Sequence, residues 1–216
     1  MPTLKTVVPL ACLALLGVGP ATASAQTAHL DARVRAFLAD HQNQWRDMNV
    51  PAADGQTLYD LIIEHGFTRA LEVGTSTGHS GIWIAWALSK TGGKLITIEI
   101  DEGRHREALA NFEAAGLSEF IDARLANAHE LVPALEGPFD FVFQDADKDW
   151  YARYFEFIYP KLAPAACYVA HNVSGPGARG QREFIAALEA KPDLTTEYTS
   201  GRRSGGMSVT CRAGER

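Results

Sequence analysis

The sequence predicts an α/β fold: a doubly wound, mostly parallel seven-stranded sheet that finishes in an antiparallel C-terminal hairpin. From residue 69 onward, short apolar runs alternate with helical patterns, and parallel neighbours in a sheet need helical crossovers of this kind. Near the C-terminus, Leu194–Tyr198 and Met207–Cys211 flank a stretch containing SGRRSGG. This turn-like spacing favours antiparallel pairing of the last two strands.

The elements follow in order along the chain. Apolar residues at helical spacing predict helices over Leu30–Met48, Gln56–His65, Gly78–Leu88, Glu102–Ala115, Ala128–Leu135 and Asp149–Leu162. Gly66 and Gly116 follow two of these helices, where a left-handed residue commonly ends a helix. Short apolar runs predict the first five strands over Arg69–Val73, Lys94–Ile100, Phe120–Leu125, Asp140–Phe143 and Ala166–Ala170.

Composition bounds the class of partner. The chain has 216 residues, of which 46% are hydrophobic and 21% charged, which fits one globular domain with a sizeable core. The formal charge of −6 and the lack of a Lys/Arg run argue against nucleic acid or an anionic membrane as the main partner. A small molecule is therefore the expected substrate.

The N-terminus has the pattern of a secretory leader. Lys5 is the only charge in the first 25 residues, Val7–Val18 is apolar, and Ala23–Ala25 are small. We expect a signal peptide over residues 1–25, an exported (periplasmic or secreted) single domain over 26–216, and no stable membrane association after cleavage. A short anchor or a misassigned start codon is the alternative, and the latter would leave the protein cytoplasmic.

Two cysteines remain after the leader, Cys167 and Cys211. Both lie in strand-like apolar runs. We therefore expect two buried free thiols rather than a disulfide, even in an oxidising compartment.

Polar residues follow two of the predicted strands at the point where each strand ends. Asp145, Asp147 and Lys148 follow one strand, and His171 and Asn172 follow the next. Ligands bind at the carboxyl ends of strands in open α/β sheets. A carboxylate, an imidazole and an amide are candidate metal ligands, here Asp145, His171 and Asn172, and Lys148 is a candidate base.

The first strand leads into a turn, Glu72–Ser80, whose glycines stand four apart. The turn matches neither the GxGxxG dinucleotide pattern nor a phosphate loop. Glu99 ends the second strand, 25 residues after Gly74, where a carboxylate can accept both hydroxyls of a ribose. An adenosine without a phosphate tail fits, and S-adenosylmethionine is such a ligand. A solvated acid for Glu99 and a helix N-cap for Ser80 are the alternatives.

From Met48 to about Arg212 the chain resembles the metal-dependent O-methyltransferases of the catechol and caffeoyl-CoA group, which have a Rossmann-like methyltransferase fold. The matching motifs occur in the order MNVPAADGQ, LEVGTSTGHS, TIEID, DFVFQDADKDWY and YVAHNVSGPGA. Several ordered motifs over about 165 residues make the resemblance specific.

The resemblance implies roles for individual residues. The methionine part of S-adenosylmethionine would be held by Val50, Glu72, Gly74 and Ser80. Glu99 would bind the ribose, and Asn127 and Ala128 would lie by the adenine. Asp145 would ligate a metal and face the cofactor amine, Asn172 would be a second ligand, and Lys148 would take the substrate proton. A homodimer is one assembly that the family suggests.

The chemistry of the cofactor indicates the reaction. A sulfonium methyl group is already activated, so the protein must mainly align and deprotonate the acceptor. A divalent cation lowers the pKa of a bound hydroxyl, and a lysine nearby completes the proton transfer. We predict methyl transfer to a hydroxyl of a small vicinal diol, with aromatic diols favoured.

His171 departs from the family pattern, which has an aspartate at this position. An imidazole suits Mn, Fe, Ni or Zn better than Mg²⁺. Three interpretations stay open: a transition-metal site, a site that relies on Lys148 with little or no metal, and an exported protein that binds S-adenosylmethionine or S-adenosylhomocysteine without turnover. Of the other histidines, His79 is a candidate ligand contact and His129 is expected to be an ordinary surface residue. The loops Met48–Asp54 and Ser174–Gly180 are expected to shape the acceptor pocket.

Overall fold

A computed structural model describes residues 20–173, 179–199 and 205–214 of the chain. The helices in these ranges are α1 Pro20–Asp40, α2 Ala52–His65, α3 His79–Thr91, α4 Glu102–Ala115, α5 Ala128–Ala134, α6 Tyr151–Ile158 and α7 Arg179–Glu189. The strands are β1 Arg69–Val73, β2 Lys94–Glu99, β3 Ile121–Leu125, β4 Phe139–Gln144, β5 Leu162–His171, β6 Leu194–Tyr198 and β7 Met207–Arg212.

The strands form one sheet in the order β3-β2-β1-β4-β5-β7-β6. The first five are parallel, whereas β7 runs antiparallel to both β5 and β6. The predicted fold is therefore confirmed, including its antiparallel end. Between β1 and β4 the strand order reverses, and in such sheets ligands bind at this switch point.

The core lies on both faces of the sheet. Phe141 and Phe143 pack with α2 and α3 on one face, while Val142 packs with α5, α6 and α7 on the other. Because side chains alternate along a strand, a parallel strand covered on both faces is apolar at almost every position. This explains why the central strands are continuous apolar runs in the sequence.

Three elements differ from the prediction. The first helix ends at Asp40 instead of Met48, and Asp47 and Met48 adopt left-handed backbone with φ of 50° and 62°. Helix α6 ends at Ile158, two residues before Pro160, because a proline cannot continue a helix. Helix α7 was not predicted, although Phe184 and Leu188 stand four residues apart and are both buried.

The prediction of two free thiols is wrong in this structure. Cys167 and Cys211 form a disulfide. The two residues stand directly opposite each other in the antiparallel pair of β5 and β7, with their Cα atoms 4.1 Å apart. The sequence could not indicate this pairing, because it depends on the register of two strands separated by 44 residues.

Several predicted features lie outside the described residues. They are most of the leader (1–19), most of the second acceptor loop (174–178) and the tip of the C-terminal hairpin (200–204). Within the described ranges, no helix combines the length and apolarity needed to cross a membrane.

Candidate active site

The turn after β1 and the end of β4 approach each other closely at the switch point. The backbone N–H of Asp145 donates to the carbonyl of Val73 at 2.9 Å. Gly74 has φ +99°, and a Cβ there would stand 2.8 Å from the Cβ of Ala146. Only glycine combines this backbone conformation with this approach. The first glycine of the turn therefore brings the two strand ends together.

A cavity of about 490 Å³ opens above these strand ends, a size suited to a small-molecule ligand. Its wall includes most of the predicted site, namely Val50, Gly74, Ser80, Glu99, Asn127, Ala128, Asp145 and Lys148. Glu72, His171 and Asn172 do not line it. The structure thus gathers residues that are spread over about 100 positions of sequence.

Glu99 is held by backbone amides at the cavity wall. Its Oε2 accepts from the N–H of Ser76 at 2.8 Å, and its Oε1 accepts from Ile100 at 3.0 Å and Asp101 at 2.9 Å. The residue is only 6% exposed. Glu99 is therefore an oriented acceptor and not a solvated strand-end acid.

Glu72 lies buried behind the wall. Its Oε2 accepts from the hydroxyl of Thr97 at 2.5 Å. Its Oε1 has no hydrogen-bond partner among the described residues. Burial raises the pKa of this carboxyl to about 7, against hydrogen bonds that lower it. A buried oxygen without a partner carries a desolvation cost.

A cover segment, Asp47–Val50, closes one side of the cavity. The guanidinium of Arg104 donates to both carboxylate oxygens of Asp47 at 2.8 Å. The hydroxyl of Ser76 donates to the carbonyl of Asp47 at 2.5 Å. Such a two-pronged contact fixes orientation as well as distance. The cover is thereby tied both to α4 and to the glycine turn.

His79 supports the cover segment from behind, and it does not line the cavity. Its Nδ1 donates to the carbonyl of Val50 at 2.8 Å, and its Nε2 accepts from the indole N–H of Trp83 at 3.1 Å. Burial lowers the pKa of His79 to about 4. The ring is therefore neutral at physiological pH, with its proton on Nδ1.

Four titratable side chains form a row from the first turn of α2 to the ends of β4 and β5, here called the His171 bridge: Asp54, His171, Asp145 and Lys148. The Nε2 of His171 lies 2.9 Å from Oδ2 of Asp54, and its Nδ1 lies 3.0 Å from Oδ2 of Asp145. The other oxygen of Asp145 accepts from Lys148 Nζ at 2.5 Å. Although burial opposes a charge on His171, its bonds to Asp145 and Asp54 raise the pKa of the imidazole above its ordinary value.

The predicted metal ligands do not assemble a metal site in this arrangement. Both nitrogens of His171 and both oxygens of Asp145 are engaged with each other, with Asp54 or with Lys148. Within the described ranges, no group of three or more His, Cys, Asp or Glu side chains is arranged to hold a cation. Asp145 and His171 therefore do not offer free donor atoms to a divalent cation as they stand.

Two side chains at the site, Tyr151 and His129, were missed or misjudged from the sequence. Tyr151 is fully buried, and its hydroxyl accepts from Lys148 Nζ at 2.8 Å. His129, expected to be an ordinary surface residue, lines the cavity. Its Nε2 lies 2.7 Å from Oδ2 of Asp147, which also lines the cavity, and its ring stacks on Trp150 with centroids 3.6 Å apart. Its position beside Asn127 and Ala128, just after a strand end, was the available signal.

A doubly wound sheet with a ligand-sized cavity at its switch point is an architecture in which nucleotide cofactors commonly bind. The profile of the O-methyltransferase family matches residues 21–172. The chain belongs to this family, and the predicted family resemblance is confirmed.

Known proteins of this family resemble the chain in sequence and in structure. A catechol O-methyltransferase of Niastella koreensis is 38% identical over 135 residues, which cover 56% of this chain and 61% of that protein. A crystal structure of an O-methyltransferase from Bacillus cereus in complex with SAH has a TM-score of 0.70 at 27% identity and covers 86% of this chain and 90% of the other.

The SAM complex of the O-methyltransferase TomG from Streptomyces achromogenes has a TM-score of 0.71 at 28% identity, with 93% and 92% of the two chains covered. The chain spans about half to two thirds of the length of the curated relatives that it matches.

Proposed function

We propose that this protein transfers the methyl group of S-adenosylmethionine to a hydroxyl of a small vicinal diol, with aromatic diols favoured. One observation carries the proposal: a single cavity has the oriented carboxylate of Glu99 at one wall and the Lys148–Asp145 pair at another. Relatives named for catechol and caffeoyl-CoA methylation support the class of acceptor.

The cavity suits the cofactor at both ends. Glu99 would accept the ribose hydroxyls, and Asn127, Ala128 and His129 would lie by the adenine. At the other end, Val50, Gly74 and Ser80 would surround the methionine part. Its ammonium group would meet Asp145, and the unpartnered oxygen of Glu72 offers a second acceptor beneath the turn. A Cβ at Gly74 would fill part of this cradle.

The transfer step needs a deprotonated and aligned acceptor. The acceptor oxygen forms a bond to the methyl carbon as the carbon–sulfur bond breaks, and its proton passes to the Lys148–Asp145 pair. Tyr151 fixes Lys148 through its hydroxyl, 2.8 Å from Nζ. The products are the methyl ether and S-adenosylhomocysteine. Acid–base assistance of this kind contributes about 10²–10⁴ in rate.

Turnover by the purified protein with a panel of catechols tests the proposal, with Lys148→Met as the informative variant. We expect kcat to fall by about 10²-fold or more, while the dissociation constant of S-adenosylhomocysteine, measured by calorimetry, stays unchanged. Lys94→Met changes an exposed lysine outside the cavity and is the matched control. Equal rates for Lys148→Met and the control would refute the role of Lys148.

A second candidate is an exported protein that binds S-adenosylmethionine or S-adenosylhomocysteine without turnover. The leader pattern favours export, and a disulfide is typical of oxidising compartments. Export would take the chain away from the usual supply of the cofactor. Tight cofactor binding with no turnover on any diol supports this candidate, whereas methylation of one catechol excludes it.

A further inference from the structure

We propose that His171 takes the structural place of a divalent cation: it is a positioning residue that joins Asp54 to Asp145, and methyl transfer in this protein proceeds without bound metal. The proposal rests on the function proposed above and concerns the same site. It follows from the hydrogen bonds of the His171 bridge.

The imidazole of His171 uses its full hydrogen-bonding capacity on two carboxylates. Each ring nitrogen of His171 faces a carboxylate oxygen at 3.0 Å or less. A carboxylate accepts hydrogen bonds and cannot donate them, and a ring nitrogen that donates has no lone pair for a metal. Both nitrogens are therefore used in holding the two carboxylates.

Burying Asp54 and Asp145 close to the same side chain has a cost in free energy. The side chains of His171, Asp145 and Asp54 are only 5%, 11% and 15% exposed. Two carboxylates brought together in so buried a place repel each other unless a positive or donating group lies between them. A divalent cation does this in a metal site. Here His171 does it from within the chain.

Lys148 is held in place by two neighbouring side chains. Its Nζ donates to Asp145 and to the hydroxyl of Tyr151, and that hydroxyl lies 3.0 Å from the carbonyl oxygen of His171. The path from His171 through Asp145, Lys148 and Tyr151 therefore returns to His171. This closed ring of contacts orients the lysine using protein groups alone.

His171 also contacts the first turn of α2, which follows the cover segment in the chain. Asp54 lies in the first turn of α2, four residues after Val50 at the end of the cover. Through Asp54, His171 connects the start of α2 to the end of β5, a contact between residues 117 positions apart. One side chain thus contacts both the first turn of α2 and the carboxylate beside the base.

Calorimetric titration of the whole protein with MgCl₂, MnCl₂, NiCl₂ and ZnCl₂, each alone, tests the proposal without needing any acceptor. We expect no one-to-one binding by the natural protein. His171→Asp places a third carboxylate between Asp54 and Asp145 and should create affinity for Mg²⁺ or Mn²⁺. His29→Asp makes the same change at an exposed position outside the site and should create none.

The dependence of the methylation rate on cations is a second test. After treatment with EDTA, the catechol methylation rate should stay within about twofold of the rate with added cations, which is a negligible change in barrier. His171→Asn should lower kcat by about tenfold or more, as loss of a supporting hydrogen bond does in other sites, with the melting temperature and S-adenosylhomocysteine affinity kept. In His171→Asp, added Mn²⁺ should restore the rate.

One-to-one cation binding by the natural protein that Asp145→Asn abolishes would overturn the proposal. So would a more than tenfold loss of rate with EDTA that a cation reverses, or a folded His171→Asp that gains no affinity. If His171→Asp does not fold, the titration of the natural protein decides. If no diol is methylated, the proposed function fails, and the metal titrations still judge the role of His171.

Discussion

Two buried titratable residues, Glu72 and His79, lie near the two ends of the glycine turn, and burial shifts their pKa values in opposite directions. Burial lowers the pKa of His79 to about 4 and raises that of Glu72 to about 7. In both residues the uncharged form is favoured, because desolvation penalises whichever form carries the charge. The stability of the protein should therefore respond to pH through these two side chains in opposite ways.

His79 should make the protein sensitive to acid. Its folded pKa lies below the unfolded value of 6.5, so its contribution is present above pH 6.5 and is lost as the pH falls toward 4. The loss amounts to about 3 kcal/mol. In His79→Asn, which keeps a donor toward Val50, urea unfolding measured from pH 7 to 4 should show a shallower decline. Parallel curves for the two proteins would contradict this.

Glu99 should control affinity for the cofactor. Glu99→Gln replaces a carboxylate that accepts several hydrogen bonds with a neutral amide, so we expect S-adenosylhomocysteine to bind about 10- to 100-fold more weakly, the usual cost of a hydrogen bond to a charged group. Calorimetry measures this directly. Glu102→Gln changes an exposed glutamate three residues away, and its affinity should match that of the natural protein.

The sequence predicted the residues at strand ends well, because the ends of parallel strands meet at one edge. It did not predict contacts that depend on long-range packing. Asp54 reaches His171 across 117 positions, and Tyr151 reaches Lys148 only because its helix turns it inward. The proximity of His171 to Asp145 at the strand ends could be predicted from the sequence, but the contact of His171 with Asp54 could not.

Among the elements, strand β5 combines several roles in the sheet. It carries His171 at its end, pairs with β4 on one side and with the antiparallel β7 on the other, and is joined to β7 by the disulfide. The alternation of apolar runs and helices predicted the strands with errors of a few residues. The pairing of β5 with β7 could not be predicted, because strand register depends on the whole sheet.

Removing the disulfide should lower stability. The bridge closes a loop of 44 residues, and loss of such a bond costs about 2–4 kcal/mol. The double variant Cys167→Ser, Cys211→Ser should unfold at lower urea than the natural protein under oxidising conditions. Dithiothreitol should destabilise the natural protein and leave the double variant unaffected. Equal midpoints for all samples would show that the thiols are not joined in solution.

At the scale of the whole molecule, helix α1 packs on the domain through residues that follow the predicted leader. Arg33 donates to the carbonyls of Glu113 and Ala114, Asp31 pairs with Lys90, and Val34 and Phe37 enter a core cluster with α3 and α4. Cleavage after residue 25 would remove none of these contacts.

A chain that begins at Gln26 should therefore be as stable as the full sequence. Thermal unfolding of the two proteins should give the same midpoint, while Val34→Ala, which empties a fully buried position, should lose about 2 kcal/mol. A lower midpoint for the shortened chain would mean that residues 1–25 belong to the domain. N-terminal sequencing of the protein from its natural host then shows whether cleavage occurs.

The reversal of strand order between β1 and β4 also divides the chain into two parts. The cover, the glycine turn, Glu99 and α5 all precede β4 in the chain, whereas β5 and the loops that follow it lie beyond the Lys148–Asp145 pair. The family profile ends at residue 172, so α7, β6 and β7 lie outside the part of the chain that the profile matches. Under the proposed function, we expect that exchanging residues from 173 onward between relatives alters the choice of acceptor and leaves the affinity for S-adenosylhomocysteine unchanged, which turnover with a catechol panel and calorimetry would measure.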